Sequence, residues 1–137
     1  ELSTIKPQVY MSKEHPLAKE RSVRVEQLFE YPYVMFTQSE SNMNYAEEAI
    51  AGKASDFARI VYVNDRATIY NIMAHTECIS TGSGVLPVGY GDDRLISVPL
   101  EDAENEMRIG YIHLRGLPLT ELEQRFVDIL RRILDSV

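Results

Sequence analysis

From Val61 to Pro87 the chain reads VYVNDRATIYNIMAHTECISTGSGVLP, and the spacing of its apolar positions changes twice. Val61, Tyr62 and Val63 are consecutive β-branched and aromatic residues, a short strand signal. Asn64-Asp65 then offers side-chain oxygens to the free N–H groups of a following helix, which is predicted to open near Arg66. Ile69, Ile72 and Met73 recur at three- and four-residue spacing, and Cys78 to Thr81 returns to a short apolar run ended by Gly82-Ser83-Gly84. Strand, helix and strand in this order predict a βαβ unit. Such a unit places strand C-termini and helix N-termini on one edge of the sheet, where open α/β folds bind ligands.

The same patterning places the other elements. Gln8 to Met11 is a strand, and His15-Pro16 makes a turn because proline forces its predecessor into an extended conformation. Val25, Leu28 and Phe29 form a brief apolar face stopped before Pro32, so a short helix is predicted there, followed by a strand from Tyr33 to Phe36. Met43, Ala46, Ala49 and Ile50 stand at helical spacing up to Gly52. Leu95 to Leu100 and Met107 to Leu114 read as two strands, expected to pair antiparallel across the acidic connection 101–106. Near the C-terminus, Thr120 and Glu123 have capping-box spacing. They precede an apolar stripe at Leu122, Phe126, Ile129, Leu130, Ile133 and Leu134, which must be buried in the core, on another lobe or on a second copy.

Composition narrows the class. With 137 residues, 45% hydrophobic and 26% charged, the chain has the makeup of one soluble globular domain. A formal charge of −7 opposes sequence-independent nucleic-acid binding, which needs clustered Lys and Arg to neutralise phosphates. The single cysteine, Cys78, excludes an internal disulfide and a cysteine-based zinc site and agrees with a reducing cytoplasm. No apolar run approaches the roughly 20 residues that span a bilayer, so no membrane role is expected. The opening Glu1-Leu2-Ser3-Thr4 has neither an initiator Met nor a cleavage pattern, and the chain is expected to be part of something longer.

The candidate chemistry lies in two loops. Thr37 to Asn42 falls between a strand and a helix, where backbone N–H groups and the hydroxyls of Thr37, Ser39 and Ser41 can converge on an anion such as a carboxylate. The same residues also suit plain helix capping. Asn64-Asp65 reads as a cap, since a carboxylate there repels an anion. Gly82-Ser83-Gly84-Val85-Leu86-Pro87 has Pro87 where a dinucleotide fingerprint needs its third glycine, and it lacks the phosphate-loop lysine. Ser83 lacks the five-residue frame of a nucleophile elbow and reads as a turn serine. His15, His75 and His113 show no metal-ligand spacing, and no acid, base and nucleophile set is visible. Neither enzyme chemistry nor a metal or cofactor is expected. Glu47-Glu48 and the acidic connection read as solvated surface.

With these segments placed, the chain resembles the effector-binding domain of LysR-type bacterial transcriptional regulators from about Gln8 onward. His15-Pro16-Leu17-Ala18 matches the family's "HPLA" after a crossover strand, and Val25 to Pro32 (VEQLFEYP) matches its short helix ending in proline, with Arg24 where the family often has a capping Ser or Asp. Tyr33 to Phe36 is similar to the lobe's first strand. Val63-Asn64-Asp65 with its helix, the Gly82 to Pro87 turn (one residue shorter than the family's "GxGxxxLP"-like pattern) and Leu119 to Leu130 follow in the family's order.

The resemblance implies an α/β fold: a periplasmic-binding-protein-like (type II) lobe with a mixed, mostly parallel sheet flanked by helices. It implies that residues 1–137 are the second lobe with its hinge strands and terminal helix, without the winged helix-turn-helix and most of the first lobe. The effector, a small and anionic metabolite, is expected to contact Thr37, Gln38, Ser39 and Ser41, with Gly82, Ser83 and Gly84 on the same rim. Lobe closure is expected about hinge strands Val9 to Met11 and Arg108 to Leu114. The implied partners are a small-molecule effector, DNA through the N-terminal domain only, and other copies in a dimer or tetramer, all in the cytoplasm. The alternatives are a periplasmic-type solute-binding protein of a transporter, which shares the lobe architecture, and an enzyme of related fold such as a dehydratase.

Overall fold

The computed structural model describes residues 1–37, 56–86, 92–103 and 106–135. Its organising strand is β2 (Gln8–Ser12), whose side chains alternate between two covered faces. Val9 and Met11 enter one apolar cluster with Val25, Leu28 and Phe57, whereas Tyr10 enters a second with Ile69, Tyr70 and Met73. This period of two is what a pleated strand imposes. β3 (Tyr33–Phe36) repeats it, with Tyr33 and Met35 on the first face and Val34 on the second.

β2 lies between β5 (Ser80–Gly82) and β6 (Leu95–Pro99) and runs antiparallel to both. β3 pairs in parallel with β4 (Ile60–Val63) and meets Ile79 through a further parallel bridge, supported by the Val34 N–H to Ile79 C=O bond of 2.8 Å. The sheet therefore runs β4-β3-β5-β2-β6, with four strands in one direction and β2 in the other. The expected mixed, mostly parallel sheet is present. Helix α1 (Val25–Leu28) covers one face and α2 (Arg66–His75) the other. α2 opens at the predicted residue because Asp65 accepts from the Thr68 N–H at 2.8 Å, filling one of the donors that a helix start leaves free. The strand, helix and strand predicted from Val61 are parallel, but β3 stands between β4 and β5.

One pairing expectation is corrected. Leu95–Leu100 and Met107–Leu114 do not pair with each other, because β6 pairs with β2. β7 (Met107–Ile109) pairs antiparallel with β1 (Ser3–Ile5) in a separate two-stranded ladder. The segment after β6 is diverted away from a hairpin: Leu100 N–H donates to Pro7 C=O at 3.3 Å and Glu101 N–H to Val23 C=O at 2.9 Å. The ladder outside the main sheet is β1 with β7, so the hinge strand expected over Arg108–Leu114 is shorter and Val9–Met11 lies within the main sheet. Val9 and Met11 are fully buried mid-sheet, and residues 110–114 form no strand.

Helix α3 (Glu121–Leu134) starts with the capping box its spacing predicts, Thr120 N–H donating to Glu123 Oε2 at 2.7 Å and Glu123 N–H to Thr120 Oγ1 at 3.3 Å. Its apolar stripe does not join the core of the described residues. Val127 is buried, but Leu122 is 78% and Phe126 65% exposed. The helix predicted over Met43 to Ile50 lies outside the described residues.

Candidate ligand-binding rim

Parallel register brings one set of strand ends together. Tyr33 pairs with Ile79, so Phe36 lies level with Gly82, and Gly82 in turn pairs with Gln8, which pairs with Pro99. The C-terminal ends of β3, β4, β5 and β6 thus share one edge of the sheet, the edge from which Pro7 and Leu100 lead toward the β1–β7 ladder. Thr37 sits there, exposed, with its N–H donating to Val63 C=O at 2.7 Å. Gly82, Ser83 and Gly84 lie half-buried at the same edge. Of the expected site residues, Gln38, Ser39 and Ser41 lie outside the described residues.

The start of α2 also faces this edge. The Thr68 hydroxyl donates to Asp65 Oδ2 at 2.6 Å, and this bond, with the Thr68 N–H, holds the Asp65 carboxyl below its ordinary value. Arg66 follows directly. Its guanidinium stands 5.6 Å from the centre of the Phe36 ring and donates to the Tyr70 hydroxyl at 3.5 Å. The guanidinium over the Phe36 ring puts one positive charge on the rim, next to the Asp65 carboxylate that caps α2. Local patterning missed Arg66, although a basic residue immediately after the Asn-Asp cap was a readable signal.

The turn after β5 is built around Tyr10. The Tyr10 hydroxyl accepts from Gly84 N–H at 2.8 Å and lies 3.3 Å from Ser83 Oγ, while Ser97 Oγ donates to Gly84 C=O at 3.0 Å. Gly84 has φ +84°, a conformation that favours glycine, and a Cβ there would approach Gln8 Cδ to 2.5 Å. Burial pushes the Tyr10 phenol above its ordinary value, so it is a neutral hydroxyl at physiological pH. The part played by Tyr10 had no local signal, because its partners lie more than 70 positions away.

The opposite edge is different in kind. A cleft of about 750 Å³ there is lined by Ser12, His15, His75 and Arg94 among others. His75 Nδ1 lies 2.9 Å from Asn71 C=O, and its Nε2 accepts from Arg94 at 2.8 Å, which closes the end of α2. His15 is buried, with Nδ1 accepting from Leu17 N–H at 3.1 Å, and serves the turn that proline begins. Among the described residues, no group of three His, Cys, Asp or Glu is placed to hold a metal ion. No described helix is long and apolar enough to cross a membrane.

The family model for the LysR substrate binding domain matches residues 1–135. The chain belongs to this family. No curated protein matches the sequence. Among solved structures, HinK, a LysR family transcriptional regulator from Pseudomonas aeruginosa, superposes with a TM-score of 0.68 at 15% identity, covering 96% of this chain and 46% of HinK. The effector binding domain of QuiR in complex with shikimate gives 0.62 at 17% identity, covering 96% of this chain and 62% of the QuiR chain. The BenM effector binding domain with its effector benzoate gives 0.56 at 16% identity, covering 77% and 49%. The LysR substrate-binding domain described here thus spans about half to three fifths of the chains it resembles. Its fold is the type II periplasmic-binding-protein-like one, as the order of its motifs implied.

Proposed function

We propose that residues 1–137 form the second lobe of the effector-binding domain of a LysR-type transcriptional regulator, and that the rim described above takes one side of a small carboxylate. The observation carrying this reading is that Thr37, the Ser83-Gly84 turn, Arg66 and the N-terminus of α2 share the sheet edge leading into the β1–β7 ladder. An anion there meets hydroxyl donors and the Arg66 guanidinium, while the Asp65 carboxylate occupies the α2 N-terminus itself. Shikimate in QuiR and benzoate in BenM are both carboxylates, which agrees with this chemistry. Membership of the LysR family favours the regulator over a solute-binding protein of a transporter.

In this reading β1 and β7 are the hinge, and the ligand acts by binding the closed arrangement of two lobes more tightly than the open one, since only such a difference shifts the equilibrium. The rest of the regulator supplies the opposite wall and the DNA-binding domain, and it works as a cytoplasmic dimer or tetramer. The test is a thermal-shift screen of the full-length protein with benzoate, shikimate, succinate and glutamate. A ligand at 100 times its Kd stabilises the folded state by about 2.7 kcal/mol. Thr37→Ala, Ser39→Ala and Arg66→Ala are expected to weaken the best binder. Unchanged affinity in all three variants, or no shift with any carboxylate, overturns the reading.

A further inference from the structure

Tyr10 is 6% exposed, and its ring fills the space beneath the turn after β5 so closely that a Cβ on Gly82 would stand 2.8 Å from Tyr10 Cε2. Both polar groups of Gly84 are occupied. Its N–H is held by Tyr10 on β2 and its C=O by Ser97 on β6, so the turn is fastened to two adjacent strands. Ser83 is the next group outward. The phenol has one proton, and its two acceptors, Ser83 Oγ at 3.3 Å and Val85 C=O at 3.4 Å, are both distant for an O–H···O bond. When that proton goes to Ser83 Oγ, which also receives the Val85 N–H at 3.4 Å, the serine's own proton is left to point at an outside acceptor.

We propose that Tyr10 is a positioning residue of the rim: its hydroxyl holds the Gly84 N–H and directs the Ser83 hydroxyl to donate to a carboxylate oxygen of the effector. This rests on the reading of the rim as a ligand site. Tyr10 also lies on the strand that follows β1 through Lys6 and Pro7, so the group that shapes the turn and the ladder that leaves the lobe share one backbone.

The experiment uses the full-length protein and compares Tyr10→Phe, Ser83→Ala and Val25→Ala with wild type. Two readouts are taken: calorimetric affinity for benzoate and shikimate, and hydrogen exchange at the Gly84 amide. Tyr10→Phe is expected to weaken binding about tenfold, the loss of roughly one hydrogen bond, and to speed Gly84 exchange. Ser83→Ala weakens binding with Gly84 exchange unchanged. Val25→Ala lowers the melting temperature and leaves both readouts at wild-type values, which separates positioning from general loss of stability. Wild-type affinity or wild-type Gly84 exchange in Tyr10→Phe overturns the proposal while the rim reading stands. Failure of wild-type protein to bind either carboxylate counts against the rim reading, whereas the exchange measurement still decides whether Tyr10 holds the turn.

Discussion

Asp102, on the segment between β6 and β7, accepts a hydrogen bond at 2.9 Å from the backbone N–H of Val25, the first residue of α1. Arg24, at the cap position, has no side-chain acceptor, so a carboxylate 77 positions away supplies what a local Ser or Asp usually does. The acidic connection is therefore partly a structural fastener. Asp102→Ala is expected to cost about 1 kcal/mol, the usual cost of a lost cap, while Asp102→Asn keeps an acceptor and most of that stability. Urea unfolding of the three proteins measures the difference.

Gly84 and Gly116 have nearly the same backbone angle, φ +84° and +85°, but a Cβ at Gly116 meets nothing within 4 Å. Alanine at Gly116 is expected to cost only the left-handed conformation, about 1 kcal/mol. At Gly84 the Gln8 side chain must also move, so Gly84→Ala is expected to cost more. A denaturation series on both variants checks the order.

His15 is buried, and that burial lowers its affinity for a proton below the ordinary 6.5. The unfolded chain then binds the proton first as pH falls, so stability declines from about pH 6.5 downward and levels off below the folded value. Above pH 7 both states are neutral and His15 contributes no slope. Urea midpoints at pH 7.5 and 5.5 are expected to fall further apart for wild type than for His15→Gln, which cannot titrate.

Met73, fully buried on α2, and Phe126, exposed on α3, are both large apolar residues at helical spacing. Met73→Ala is expected to cost about 2–5 kcal/mol through the cavity it leaves. Phe126→Ala in a protein of residues 1–137 is expected to stay within about 0.5 kcal/mol. Equal losses would mean that the α3 stripe is part of this core.

Local signals carried much of this fold. The start of α2 at Arg66 and of α3 at Glu121 follows from Asp65 and Thr120, whose oxygens lie within three residues of the N–H groups they accept from. β3 and β4 were readable because short β-branched and aromatic runs suit a strand. Pairing was not readable. Whether Leu95–Pro99 lies beside β2 or beside β7 depends on which side chains share a face far along the chain, and no repeat within one segment encodes that. For the same reason Thr37 and Gly82 to Gly84 were placed on a common edge from strand direction alone, whereas the Tyr10 contacts join residues 73 and 74 positions apart and leave no local trace. The exposed α3 stripe marks a further limit, since amphipathic spacing predicts an apolar face without naming its neighbour.

The position of β2 has a kinetic consequence. It can pair with neither β5 nor β6 until segments some 70 to 90 residues downstream have emerged, as the Tyr10 to Gly84 separation of 74 illustrates. Closing loops of that length precedes any reward from the sheet, so this lobe is expected to fold on the slower millisecond-to-second scale of topologies rich in distant contacts. During synthesis, Val9 and Met11 wait for both strand neighbours until residues 80–99 have been made.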